Sequence, residues 1–416
     1  MKILTLVSKF FKTSWGNLCR RCHYVMMAIP FIVVTASIVL SVASIVRINQ
    51  ILDHQTLQYA GELFSTSQMS FRKLTVLSQG LETDDGSAPR VCAKSLSKEQ
   101  IEEIHEQLDL AEKAATGNTK DSGSKKNKGK TIKLENLWED CYSSTAHYAA
   151  EGYIENDAQG SCASCEIVGV SGAYDLIHPF IYESGGFISD NSDRYSIVLN
   201  TQMAWNLFHS YQIVGAYVLI NGTYYRVVGV VCEGKDKIAE TTGVTEPRAY
   251  VQFSQLVNLA NNSEIPTNSE ERDNAVKESD LAISCYEVLL TDPINNIAYN
   301  DLVKVLQDSI GYTSDSKTIQ VINNTDRFNV LRLWKKYFPL HKSYESFDGM
   351  ALPYHERSAR LAERYIVFWA EMLVVAGILF IVGGANIYAI FHGKETKHKI
   401  VEEEDEDESI PDIRRV

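Results

Sequence analysis

Residues 212–231 read QIVGAYVLINGTYYRVVGVV. Two runs of alternating β-formers, 216–220 and 223–231, flank Asn221-Gly222. An Asn-Gly pair in that setting specifies a two-residue type I′ hairpin. Working outward, short apolar runs bounded by turn residues predict strands at 166–171, 196–200, 248–253 and 284–290. Residues 201–208 and 294–306 have helical spacing, and the polar stretch 259–280 reads as a loop. Upstream, FRKLTVL at 71–77 predicts another strand. Ser97 and Gln100 form a capping box that opens a helix reaching residue 115. Strands and helices in this unequal order predict an α+β domain.

The 416-residue chain carries 40 Lys+Arg and 53 Asp+Glu, for a net charge of −13, and its apolar content of 45% excludes a wholly disordered chain. A sequence pI near 5.3 disfavours a nucleic-acid binder. The charge is unevenly spread. No charged residue lies between Arg21 and Arg47 or between Glu371 and Lys394. Each gap holds the ~20 apolar residues needed to cross ~30 Å of hydrocarbon. The expected spans are 24–46 and 365–391. The first apolar run exceeds the ~7–15 residues of a signal-peptide core, and no clear Ala-x-Ala follows, so an uncleaved anchor is the expectation.

Lys2, Lys9, Lys12, Arg20 and Arg21 precede the first span, and Lys394, Lys397 and Lys399 follow the second. By the positive-inside rule both termini are expected in the cytoplasm and residues 48–363 outside, although Arg357, Arg360 and Arg364 pull the other way. The charge then divides into +6 over residues 1–47, −15 over 48–363 and −4 over 364–416. The expected organisation is a basic N-terminus (1–23), a first span (24–46), a stalk helix (47–66), an extracytoplasmic domain (67–310), a membrane-proximal segment (311–363), a second span (365–391) and an acidic tail (392–416). Within the domain, residues 116–131 are Gly/Ser/Lys-rich and read as a flexible loop. Gly129-Lys130-Thr131 imitates the end of a phosphate loop, but its upstream glycine is misplaced and no strand precedes it.

Candidate sites are few. Cys19/Cys22 and Cys162/Cys165 are spaced like zinc ligands, but the expected topology puts them on opposite sides of the membrane. A disulfide is expected within Cys92, Cys141, Cys162 and Cys165, with buried free thiols an equal reading for Cys232 and Cys285. Ser37, Ser41 and Ser44 recur at helical spacing in the first span and offer a small-residue face for helix packing, with Ala385 and Ala389 a weaker counterpart in the second. Glu371 reads as a headgroup-level carboxylate and the 402–408 run EEEDEDE as a solvated tail. No His-Glu-x-x-His or Gly-x-Ser-x-Gly pattern is present. An enzyme is not expected, and no metal or other cofactor is implied.

From Ile167 to Leu256 the segments IVGVSGAYDLI, ESGGFISD, YSIVLNTQMAWNLFHS, QIVGAYVLINGTYYRVVGVV and RAYVQFSQL follow one another. This succession resembles the extracytoplasmic core domain of MacB-type and FtsX-like ABC transporter permeases. Ala204, Leu207-Phe208, Gly215, Asn221-Gly222 and the Val-Val-Gly-Val run at 227–230 carry the likeness. The resemblance implies two transmembrane helices flanking a large mixed α/β extracytoplasmic domain in a bacterial plasma membrane. It further implies a non-enzymatic permease-like or accessory subunit, partnered by a separate cytosolic ABC ATPase and a fuller permease subunit, and able to form a homodimer. Relatives of this type have four spans where this chain has two, so a part of the ATPase-contacting machinery is missing. A stand-alone membrane-anchored sensor or adhesion module is the alternative.

Overall fold

The computed structural model describes residues 28–53, 55, 63–65, 70–92, 95–117, 138–188, 192–234, 238, 241, 246–262, 275–292, 297–313, 318–324, 326–337 and 352–407, with the side chains of 111–117 and 392–407 excepted. The basic N-terminus with Cys19 and Cys22, residues 54, 56–62 and 66 of the 47–66 stalk, the loop from residue 118 and the side chains of the acidic run lie outside the described residues. The chain divides into two compact units, Met1–Leu52 with Leu333–Leu340 and Arg364–Val416, and Asp53–Arg332 with His341–Glu363.

The second unit is a mixed α/β domain. Its strands are β1 (Phe71–Ser78), β2 (Trp138–Ile154), β3 (Asp157–Gly172), β4 (Ile181–Gly185), β5 (Ser196–Asn200), β6 (Tyr217–Ile220), β7 (Thr223–Cys232), β8 (Arg248–Gln252), β9 (Cys285–Thr291) and β10 (Ile319–Asn323). They form one sheet in the order β10-β1-β9-β2-β3-β8-β5-β7-β4, and β6 pairs with both β2 and β7. The pairing therefore closes a circuit through β2, β3, β8, β5, β7 and β6, with β9, β1 and β10 extending from β2. Two pairs are parallel, β3 with β8 and β5 with β7.

Local sequence explains the elements it fixes. Asn221 (φ 44°) and Gly222 (φ 77°) both take the left-handed conformation that a type I′ hairpin requires. The capping box holds, with Ser97 N donating to Gln100 Oε1 at 2.9 Å and Gln100 N to Ser97 Oγ at 3.4 Å. It opens a helix over Lys98–Gly117 (α2). Asn200 caps the helix Thr201–Phe208 (α4), accepting from Met203 N at 2.8 Å, and the same oxygen accepts from Arg248 N at 3.0 Å.

Other elements depart from the reading. The strand expected at 166–171 is only the end of a longer one, because β2 and β3 form a long hairpin whose turn, Glu155-Asn156, has φ of 51° and 71°. The polar 259–280 stretch starts inside a helix, Phe253–Asn262 (α5). The remaining helices are α3 (Tyr174–Ile177), α6 (Ile297–Ile310), α7 (Val330–Tyr337) and α8 (Tyr354–Asp407).

One sheet face packs on α2, α4, α5 and α6, burying Leu74, Val76, Ile101, Ile104, Val288 and Leu302. The other face is covered in part by residues 174–188, where Tyr174, Phe180 and Phe187 pack with Tyr250 at centroid distances of 5.4–6.3 Å.

In the first unit, Ala28–Asp53 (α1) and Tyr354–Phe391 of α8 are long and apolar enough to cross a membrane. A Cβ on Gly383 would lie 2.7 Å from Val34 Cγ2, so the glycine permits close approach of the two helices.

Candidate functional site

α8 begins earlier than the charge gap suggested. Its residues 354–363 belong to the ectodomain unit and present a series of polar side chains to buried partners. Glu356, Arg360 and Glu363 share one stripe at helical spacing. Arg327, just after β10, donates from Nη1 and Nη2 to the Glu356 carboxylate at 2.7 and 2.8 Å and from Nε to Glu363 Oε1 at 2.6 Å. Arg360 adds Nε to Glu356 Oε1 at 2.7 Å and Nη2 to Gln320 Oε1 at 2.6 Å. Burial works against the Arg327 charge, but the two carboxylates more than offset it and raise its pKa.

A second cluster surrounds Arg248 on β8, which is fully buried. It donates to Glu166 Oε2 from Nε at 2.8 Å and to Glu233 Oε2 from Nη1 at 2.6 Å. Its guanidinium carbon lies 4.5 Å from the centroid of the Tyr354 ring. Burial raises the Glu233 carboxyl above its ordinary value despite Arg248, Tyr250 and Asn200 around it. Arg357 reaches the same group, 3.4 Å from Glu246 and 3.7 Å from Glu166. Beside it lies a cavity of about 620 Å³, whose lining includes Glu82, His147, Glu166, Glu246 and Arg357.

The third cluster lies on the sheet face opposite the α2/α6 layer. Glu287 on β9 pairs with Lys73 Nζ at 3.0 Å, accepts from Thr75 Oγ1 at 3.1 Å, hydrogen-bonds His178 Nε2 and lies 3.5 Å from His355 Nε2. Burial opposes ionisation of Glu287, yet the hydrogen bond with His178 and the Lys73 ammonium hold its carboxyl well below the usual carboxylate range. Burial also takes the His178 imidazole down to about 3, so it is neutral and Lys73 is the cation that answers Glu287. Asn324 ties this cluster to the first, donating to Thr75 Oγ1 at 2.9 Å and accepting from Arg327 Nη1 at 3.0 Å. Cys141, Cys285, His178, His355 and Glu287 are the residues here whose donor atoms could hold a metal.

None of these three clusters follows from motif spacing. Lys73, Arg248 and Glu287 do stand out as lone charges inside apolar strand runs, KLTV, RAYV and CYEVLL, and a charge buried in a strand must be paired.

The residues singled out from sequence fall elsewhere. The six described cysteines are free thiols, so the disulfide expected among Cys92, Cys141, Cys162 and Cys165 is not formed in this structure. Cys92 contacts Ser95 Oγ at 2.9 Å, and Cys141 lies 3.9 Å from Glu287 Oε2. Cys162 and Cys165 do face each other. A bulge sets Tyr148 opposite Cys165 and Ala150 opposite Cys162, which brings residues three apart onto one face. Burial and the neighbouring Cys162 push the Cys165 thiol to about 12. Ser37 and Ser44 are buried and Ser41 half-buried. Their hydroxyls donate to Val34 O at 2.7 Å, Leu40 O at 2.8 Å and Ser37 O at 2.9 Å respectively. Ala385 and Ala389 are exposed, and Glu371 is half-buried.

A family model for the MacB-like periplasmic core domain matches residues 31–292. The chain belongs to that family. Three solved structures are similar to the chain at low identity. The periplasmic region of MacB from Actinobacillus actinomycetemcomitans is 16% identical, with 63% of this chain and 92% of that one covered and a TM-score of 0.36. The extracellular domain of YknZ, a noncanonic ABC-type transporter from Gram-positive bacteria, is 15% identical, with coverage of 60% and 100% and a TM-score of 0.35. A domain of a putative permease protein from Porphyromonas gingivalis is 7% identical, with coverage of 60% and 88% and a TM-score of 0.28. The search of curated proteins gave no match. The chain thus carries a MacB-like periplasmic core domain, accompanied by two helices long and apolar enough to cross a membrane.

Proposed function

We propose that this chain is a non-enzymatic permease-type or accessory subunit of a bacterial ABC system, working in export or mechanotransmission, with both termini in the cytoplasm and residues 48–363 outside. A cytosolic ATPase and a fuller permease subunit are its partners, and Ser37, Ser41 and Ser44 serve helix packing within the membrane. Cys162–Cys165 is the pair placed to form a disulfide.

The observation that carries this reading is the set of buried ion pairs on residues 354–363. The helix that contains the second apolar run starts inside the ectodomain and is fixed there by Arg327, Arg248 and Glu287. A pull on that helix reaches the ectodomain sheet through these side chains, as a relay requires. The test is purification of the tagged chain in mild detergent from its native host. Recovery of an ABC ATPase and a second permease, with ATPase activity altered by Arg327→Met while the complex stays intact, is the expected result. A chain that purifies alone and leaves ATPase activity unchanged overturns the proposal and favours a stand-alone module. Sidedness is tested separately by a reporter fused at Ser124, expected to be active only outside.

A further inference from the structure

The five potential ligands of the third cluster form a pocket of unusual composition. Register explains the arrangement. Cys141 on β2 lies directly opposite Glu287 on β9, and Cys285, two residues from Glu287, projects from the same face opposite Ser143. Leu77 and Thr75 of β1 flank this pair of positions on the other side. His178, immediately after α3, brings its ring within 4.4 Å of the His355 ring, centroid to centroid. Cys141, His178 and Glu287 place one donor atom each within 4.8 Å of one another, and so do Cys285, Glu287 and His355. All five residues are at most 2% exposed.

We propose that this pocket is a metal site, in which Cys141, His178 and Glu287 bind one zinc-class divalent cation and pin the strap at 174–188 to strands β2 and β9. Thiolate, imidazole and carboxylate together are the donor set that zinc takes in tetrahedral sites. Lys73 decides where the ion goes. Its ammonium lies 3.0 Å from Glu287 Oε1, which disfavours a second cation there, whereas Oε2 faces His178 and Cys141. His355 then stands on the Oε1 side, as a neighbour of the site.

A further observation points to a ligand. His178 is buried with Nε2 engaged by Glu287, while its Nδ1 has no hydrogen-bond partner among the described residues. Binding the cation through Cys141 forms one metal–sulfur bond and releases that thiol's proton to solvent, with no oxidant or reductant involved.

The test uses the full chain in detergent, purified without chelator. Zinc measured by mass spectrometry is expected at about one ion per chain. Exchange to Co²⁺ should give the visible bands of a tetrahedral ion and a near-ultraviolet sulfur-to-cobalt charge-transfer band. Cys141→Ser should abolish that band, whereas Cys162→Ser should leave it intact. If Cys141→Ser does not fold, the wild-type cobalt spectrum decides. A spectrum without sulfur-to-metal charge transfer overturns the proposal. So does zinc at well under one equivalent that 1 mol of added Zn²⁺ per mol of chain fails to raise, and so does a band lost equally in Cys162→Ser.

Discussion

At the residue scale, the clusters on α8 are better read as specifying position than as adding stability. Removing charges from water costs several kcal/mol per ion, which close pairing offsets without much surplus. Breaking a pair is another matter, because it strands the remaining charge. Arg327→Met leaves Glu356 with only Arg360 and leaves Glu363 without its guanidinium. The expected loss is about 3–5 kcal/mol in urea unfolding of the ectodomain. Replacing Arg327 and Glu363 together with Met and Leu should recover much of it, and equal losses in the two variants would show that the cost is packing rather than charge. His105 gives a milder, pH-dependent case. Burial lowers its pKa, but the hydrogen bond to Asp140 and that carboxylate's charge outweigh burial and the net shift is upward. A raised histidine stabilises fully below its unfolded value of about 6.5 and loses that contribution as pH rises through the folded value. Ectodomain stability should therefore fall slightly between pH 6 and pH 8.5, and His105→Gln should flatten the slope.

At the scale of elements, legibility followed chemistry that is local in sequence. The Asn221-Gly222 hairpin and the Ser97–Gln100 box are each specified within four residues, and each is where the sequence puts it. The β2–β3 hairpin was not legible, because SSTAHYAAEGY is rich in Ala, Ser and Glu, which are weak β-formers. Its pairing with β9 and β6, far away in sequence, holds it extended. Asn156 was the one local sign of its turn. The three ionic clusters were hidden for the same reason. Lys73 and Glu287 are 214 positions apart, and only strand register makes them neighbours. Two glycines separate local from non-local demands. Gly222 (φ 77°) has open space where a Cβ would go, so Gly222→Ala should cost only the left-handed penalty of about 1–2 kcal/mol. At Gly172 (φ 74°) a Cβ would lie 2.5 Å from Asp140 O, so Gly172→Ala must also shift the β2 backbone. Urea unfolding should rank Gly172→Ala as clearly the more damaging, and an equal loss would mean that the β2–β3 contact relaxes freely.

At the scale of the whole molecule, the charge distribution acquires a structural reading. Arg357 and Arg360 ran against the expected topology, yet each is occupied by carboxylates of the ectodomain unit, Glu166, Glu246 and Glu356. The helix itself was legible only in its apolar half. A search for uncharged residues necessarily stops at Glu371, whereas the helix is set from Tyr354 by partners on β8, β9 and the turn after β10. This division predicts how the helix opens. Residues 356–363 depend on ectodomain side chains, whereas residues 366–390 have an apolar composition that suits detergent or lipid. In hydrogen exchange of the detergent-solubilised chain under increasing urea, amides 356–363 should open together with β9, at the free energy of ectodomain unfolding. Amides 366–390 should stay protected. Arg327→Met should lower the opening energy of 356–363 and β9 alike. If 356–363 instead stay protected after β9 has exchanged, the first turns stand without the ectodomain, and the ion pairs do not couple the two.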